Sequence, residues 1–184
     1  MRTIAALIVL TCALPLAAQE QTLPPKLQQE AQKIVKWSED QILVNAVREQ
    51  NKSAMTMEQI QKLDQEWIHG TIPEAFVQGL LTNPCAVRLK EFEKAIPSAL
   101  ESFVMDDQGA LVCTTKKTSD YYQGDEAKWQ DAFKAAKGAI VTGKRQYDES
   151  TKSTLVHVST PILYEGKNIG AIAVGISLTK LAEE

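Results

Sequence analysis

The first half of the chain carries the spacing of amphipathic helices. At residues 25–51 apolar side chains return every three or four positions among Gln, Lys and Glu, which predicts one long helix. Residues 56–59 and 71–74 have the pattern of helix starts, and Pro84 should end one helix and begin the next. The apolar face of that fourth helix would hold Cys85, Leu89, Phe92 and Ile96.

The second half is patterned for strands. Residues 102–105 and 110–114 predict a hairpin in which Gly109 supplies the positive φ of the turn. Asp125 is placed to cap a short helix after it. The order predicts an α/β (α+β) domain, with a long N-terminal helix and further helices packed on a five-stranded antiparallel sheet. The last three strands are expected at residues 139–147, 154–162 and 168–176, with a turn at 164–167.

The N-terminus has the layout of a secretory signal peptide. Arg2 precedes an apolar run at residues 4–10 that is too short to span a bilayer. Cleavage after Ala18 would leave residues 19–184 as one domain with no membrane insertion. We therefore expect an exported protein, which in a Gram-negative bacterium is periplasmic.

Composition and charge limit the classes of partner that the protein is expected to bind. The chain has 184 residues, of which 44% are hydrophobic and 23% are charged, as in ordinary globular domains. Its 20 basic and 23 acidic residues give a net charge of -3, so no global positive field attracts nucleic acid or an anionic membrane. Three Cys and two His are too few for a zinc framework, and we expect neither a metal nor a cofactor.

Sequence signatures of common enzymes are absent. The chain contains no GxSxG, HExxH or Walker-type loop. His69 fits a cation at a helix C-terminus, and the neighbours Asp125 and Glu126 should point apart on a helix. We therefore expect a protein that binds rather than catalyses.

Export changes the meaning of the cysteines. Thiols in an oxidising compartment tend to pair, so Cys85 and Cys113 are a candidate disulfide. The alternative is two separately buried thiols that act as small hydrophobes. The sequence alone leaves both open.

The segment between the hairpin and the last strands carries a specific motif. Residues 118–129 read T-S-D-Y-Y-Q-G-D-E-A-K-W, which resembles the signature of a bacterial branch of single Cache domains, the PAS-like extracytoplasmic sensor domains. The resemblance extends over residues 26–176. Further similar stretches are residues 103–109, 147–150, 158–162 and 169–176.

The resemblance implies a sensor-type domain that binds a small solute, such as an amine or amino acid, and presents it to a membrane receptor or kinase. Most members known to signal carry a transmembrane helix, whereas this sequence ends at residues 181–184, so we expect a separate signalling partner. The alternative is a structural or protein-interaction module of the cell envelope that has no small-molecule ligand.

The same segment offers a candidate binding site. Aromatic bodies with one polar tip suit a small pocket, and Asp120 or Asp125 could neutralise an amine. The strand expected at residues 154–162 adds the polar side chains of His157 and Ser159, which alternate along it and so share one face of the sheet. The alternative is that each side chain serves the fold alone, as core or helix cap. The candidate ligand-binding residues are Asp120, Tyr121, Tyr122, Asp125, Trp129, Arg145, Tyr147, His157 and Ser159.

Overall fold

A computed structural model describes residues 23–148 and 153–183 of the chain. The expected signal peptide, residues 1–18, lies outside the described residues. Within the described part, no helix is both long and apolar enough to cross a bilayer.

Among the described residues, five helices precede the first strand, and the predicted long helix is in fact two helices. A break at Ser38–Asp40 separates them, because the Asp40 carboxylate accepts a hydrogen bond from the Ile42 backbone and starts a new helix. The capping box of Thr56 and Gln59 is confirmed. The prediction that Thr71 starts a helix is wrong, since that helix follows Pro73 without a side-chain cap. The helices are α1 (Pro25–Trp37), α2 (Gln41–Lys52), α3 (Met57–Ile68), α4 (Glu74–Thr82) and α5 (Pro84–Glu93).

In the part of the chain that the structure describes, six antiparallel strands form one sheet. Two further short helices follow the first hairpin and the last strand. The order is β2-β1-β6-β5-β3, and β4 also pairs with β5. The predicted third strand is therefore two short pieces, which pair separately with the long strand β5. The remaining elements are β1 (Ala99–Met105), β2 (Leu111–Thr114), α6 (Ala127–Lys134), β3 (Val141–Thr142), β4 (Gln146–Asp148), β5 (Ser153–Tyr164), β6 (Lys167–Ser177) and α7 (Leu178–Glu183).

Helices cover both faces of this sheet, and each face has its own core. On one face α1, α2 and α5 bury their apolar sides against Val104, Ile172 and Val158. On the other face α3, α4 and α6 pack over Phe103 and Ala173. A disulfide joins Cys85 on α5 to Cys113 on β2, with Cα atoms 5.9 Å apart. The first core is thus fastened covalently to an edge strand.

Two glycines bring the first hairpin against residues 118–129, which we call the motif segment. Gly109 has a φ of 88°, as its turn requires, and a Cβ atom there would overlap the backbone of Gly124. Gly124 is equally crowded, because its own Cβ would strike the Gln108 carbonyl and the Tyr122 ring. The two backbones can approach this closely only because neither residue has a side chain.

Gly109→Ala should therefore lower the free energy of unfolding by about 2–3 kcal/mol, through positive-φ strain and overpacking together. The matched control is Gly166→Ala, at a φ of 77° in the second hairpin with no atom near the added Cβ. Strain alone should cost that variant about 1 kcal/mol. Urea unfolding measures both, and equal losses would contradict the close-contact argument.

Candidate functional site

The candidate site lies on the sheet face that α3, α4 and α6 cover. Across this face Phe103 of β1 is paired with Ala173 of β6, which is paired with Ser159 of β5. Paired residues project from the same side of a sheet, so these three line one row. Ser159 is buried, and its hydroxyl oxygen has no hydrogen-bond partner among the described residues. Ala173 is fully buried, so the covering helices close over the middle of this row.

In the next row of paired residues, a side-chain hydrogen bond between β1 and β5 passes over β6. Glu101 of β1 and His157 of β5 are both paired with Gly175, and their side chains meet over it with Nε2 and Oε1 3.0 Å apart. A carboxylate only accepts hydrogen bonds, so the imidazole nitrogen donates. A Cβ at Gly175 would lie 3.0 Å from Cγ of Glu101. The glycine is thus what lets side chains from non-adjacent strands touch.

This hydrogen bond has a consequence for stability in acid. The bond from His157 is the largest cause that lowers the pKa of Glu101, against the opposing effect of burial. A carboxylate with a lowered pKa stabilises the fold above its ordinary pKa of about 4.3. That contribution is lost as pH falls through the lowered value.

His157→Phe keeps a ring against Phe103, whose centroid lies 5.9 Å from the imidazole, but removes the donor. We expect this variant to lose about 1–2 kcal/mol of unfolding free energy at about pH 5.5. The difference from the wild type should shrink at a lower pH, once the pH has fallen through the lowered pKa of Glu101. Urea unfolding at both pH values checks it, and a loss independent of pH would contradict the assigned role.

Lys128 brings a cation to the same face from α6. Its Nζ lies 5.2 Å from the Phe103 ring centroid and 2.8 Å from a carboxylate oxygen of Glu126. The Lys128 side chain is 13% exposed, whereas that of Glu126 is 40% exposed. The positive charge of Lys128 also contributes to lowering the pKa of Glu101. Lys128 therefore links the motif segment electrostatically to the hydrogen-bonded pair on the sheet.

Asp120 is a further carboxylate of the motif segment, and its pKa is shifted in the opposite direction from that of Glu101. Burial, followed by repulsion from Glu126, raises its pKa. Its carboxylate accepts hydrogen bonds from Ser119 Oγ and Gln123 Nε2. Among residues 23–148 and 153–183, no basic side chain lies within salt-bridge distance of it. We use the name charged cluster for the following five residues: Glu101, Asp120, Glu126, Lys128 and His157.

Three aromatic candidates lie in or against the core rather than in an open pocket. Tyr121 is 1% exposed and packs against Trp67 and Phe76 of the neighbouring helices. Trp129 donates from Nε1 to the Asp106 carbonyl at 3.0 Å. Tyr122 is half-buried against the same core. These rings hold the motif segment to the rest of the domain.

Three further candidates are exposed to solvent. Asp125 is exposed and does not cap α6, whose N-cap is Glu126 without a side-chain hydrogen bond. Arg145 is exposed in the break between β3 and β4. Tyr147 is 59% exposed and is paired with Thr154, so it projects from the face opposite to His157. The structure thus does not bring the nine candidates into one cavity.

Sequence reasoning missed four residues of this region. Glu101 alternates with Phe103 on β1, a spacing that could have placed it on the face of His157. Lys128 lies inside the quoted motif but was not singled out. Asp64 and Trp67 of α3 bond to the motif segment, and no local pattern reveals contacts so distant in sequence.

The charged cluster combines carboxylate, imidazole and ammonium groups. Throughout the described ranges, no group of three or more His, Cys, Asp or Glu side chains is arranged to hold an ion. Its two hydrogen-bonded pairs and one carboxylate without a basic partner suit an organic ligand with its own charge.

Comparison with known proteins gives a family match. The sequence model described as "Methyl-accepting chemotaxis protein-like, first PDC sensor domain" matches residues 68–183, which is more than half of the chain. No curated protein matches the sequence.

Several solved structures are similar in fold. The sensor domain of the Vibrio cholerae histidine kinase DctB superposes with a TM-score of 0.46 at 12% identity, covering 85% of this chain and 51% of that one. The ligand-binding domain of the Campylobacter jejuni chemoreceptor Tlp3, in complex with 4-methylisoleucine, gives 0.43 at 16% identity, covering 87% and 63%. That of the Pseudomonas aeruginosa amino acid chemoreceptor PctC with GABA gives 0.42 at 17% identity, covering 65% and 57%. The chain thus spans between 51% and 63% of the length of these structures.

Proposed function

Because this chain belongs to the family of first PDC sensor domains of methyl-accepting chemotaxis protein-like proteins, we propose that it binds a small solute carrying an ammonium group at the charged cluster. The family is one of extracytoplasmic sensor domains, in agreement with the resemblance carried by the motif at residues 118–129. The proposed activity is binding without catalysis.

One observation carries the choice of ligand, the environment of Asp120. The other two carboxylates of the charged cluster already have cationic or donating partners, Glu101 with His157 and Glu126 with Lys128. Asp120 has hydrogen bonds from neutral groups only, within the part of the chain that the structure describes. The positive charge of Lys128 only partly offsets the effect of burial on this carboxylate, and a ligand ammonium in direct contact would supply the missing partner.

The sheet face beneath Lys128 and His157 also favours a cation with a short apolar body. Phe103 is buried beneath Lys128 and His157, and its ring face attracts positive charge. Ala173, which is paired with Phe103, is fully buried, so a ligand that reaches this row has to be small. A small aliphatic amine or amino acid fits this combination of charge and size.

A matched set of three solutes tests the ligand class. Isobutylamine, valine and isovalerate share one apolar body and differ in carrying an ammonium, both charges or a carboxylate. A ligand at 100 times its dissociation constant should add about 2.7 kcal/mol to stability. We expect stabilisation in a thermal-shift assay by isobutylamine or valine and none by isovalerate, and stabilisation by isovalerate alone would contradict the proposal.

We further propose that residues 1–18 are removed as a signal peptide and that the mature protein begins at Gln19 in the periplasm. The charge and apolar pattern of the N-terminus supports this. The ligand-bound domain would then act on a membrane receptor or kinase, the partner class that the family suggests. N-terminal sequencing of the secreted protein tests the first step, and retention of Met1 would contradict it.

A further inference from the structure

Two side chains of helix α3 form hydrogen bonds to the backbone of the motif segment. The Oδ1 atom of Asp64 accepts hydrogen bonds from the backbone N–H groups of both Tyr121 and Tyr122, each at 2.9 Å. Three residues further along the helix, Trp67 donates from its indole nitrogen to the Thr118 carbonyl at 2.9 Å. Residues three apart share one side of a helix, so both act from the same surface of α3.

These contacts lie on either side of Asp120. The Thr118 carbonyl is held before it, and the amides of Tyr121 and Tyr122 are held after it. The Thr118 hydroxyl also donates to the Asp120 carbonyl at 2.6 Å. The backbone that carries the Asp120 carboxylate is therefore fixed at both ends by α3.

Asp64 has no substitute in this arrangement. Among the described residues, it is the acceptor for the Tyr121 and Tyr122 amides, and the backbone bonds nearby use the Tyr121 carbonyl and the Gln123 amide instead. A charged acceptor makes such bonds about twice as strong as a neutral one. Without the carboxylate, two amides beside the buried Tyr121 ring would lose their partner.

We propose that Asp64 is a positioning residue of the ligand site, which sets ligand affinity by fixing the backbone around Asp120 without touching the ligand itself. The ligand half of this proposal rests on the proposed function, whereas the positioning of Asp120 can be measured without any ligand. Pre-organisation of this kind raises affinity because less order has to be imposed on binding.

The experiment compares Asp64→Ala and Asp64→Asn with Gln61→Ala, an exposed position on the same helix. Carboxyl NMR follows the titration of Asp120 in each full-length protein, and hydrogen exchange follows the Tyr121 and Tyr122 amides. In Asp64→Ala we expect the raised pKa of Asp120 to fall toward its ordinary value and both amides to exchange faster. Gln61→Ala should match the wild type.

Ligand affinity is measured in the same proteins with isobutylamine. We expect Asp64→Ala to bind it about tenfold more weakly than the wild type. If isobutylamine, valine and isovalerate all fail to bind the wild type, the proposed function fails, while the titration of Asp120 still decides the positioning role. An unchanged Asp120 titration with unchanged amide exchange in Asp64→Ala overturns the proposal.

Asp64→Asn keeps the test decisive if the alanine variant does not fold. Asparagine retains an oxygen acceptor of the same shape but loses the charge. We expect the same changes in Asp120 titration and in the exchange of the two amides, to a smaller extent. Behaviour identical to the wild type in both measurements would overturn the role assigned to the carboxylate.

Discussion

Asp120→Asn should weaken the binding of an ammonium ligand by about 2–5 kcal/mol, which is a loss of about 30-fold or more. The amide preserves the size of the side chain and the hydrogen bond from Ser119, but it removes the negative charge that attracts the ammonium group of the ligand. A cation held among buried groups without its partner accounts for the size of the loss. Calorimetric titration with isobutylamine or valine measures it.

Asp125→Asn is the matched control for that variant. It makes the same chemical change five residues later in the motif segment, at a side chain that is exposed and bonds to no ligand-facing group. Solvent screens an exposed charge, so the affinity should stay close to that of the wild type. Equal losses in the two variants would point to a general effect of net charge and would remove Asp120 from the site.

Replacing both Cys85 and Cys113 with alanine should lower the free energy of unfolding by about 3–4 kcal/mol. The disulfide closes a loop of 28 residues between α5 and β2 and limits the freedom of the unfolded chain. Because both sulfurs are buried in the first core, the bond also fastens a helix to the sheet edge. Urea unfolding of the purified proteins measures the change.

The reduced wild-type protein separates the bond from the side chains. It retains both sulfur atoms in the core but lacks the covalent link, so most of the loss should appear on reduction alone. Alanine substitution should add a smaller term for the lost sulfur contacts. If the oxidised and reduced proteins unfold at the same urea concentration, the stabilisation assigned to the disulfide is wrong.

The elements themselves were largely predictable, because they depend on local patterns. The hairpin at Gly109, the long strands β5 and β6 and the capping box of α3 follow from turn glycines, alternation and capping chemistry. The break between α1 and α2 was not predicted, because helical spacing continues through it. Asp40, which looks like an ordinary polar residue in the sequence, competes there as an N-cap.

The candidate site was only partly predictable. The alternation of β5 predicted that His157 and Ser159 share one sheet face, and the strand register agrees with this. Asp120 of the motif segment stays a prediction as a site residue. Which aromatic rings enter the core depends on how α3 and α4 dock, and this is set by contacts far apart in sequence. The bridge between Glu101 and His157 depends further on the missing side chain of Gly175, which becomes visible only once the strand register is known.

The most direct test of the account is the titration of the Asp120 carboxyl group by NMR, with and without a saturating concentration of the amine or amino acid that stabilises the protein most. Burial and Glu126 raise the pKa of Asp120 in the free protein. A bound ammonium should lower that pKa, because an adjacent positive charge favours the ionised carboxylate. We expect this fall at Asp120 and no comparable change at the exposed Asp125. An Asp120 titration that is the same in the free and the ligand-bound protein would contradict it.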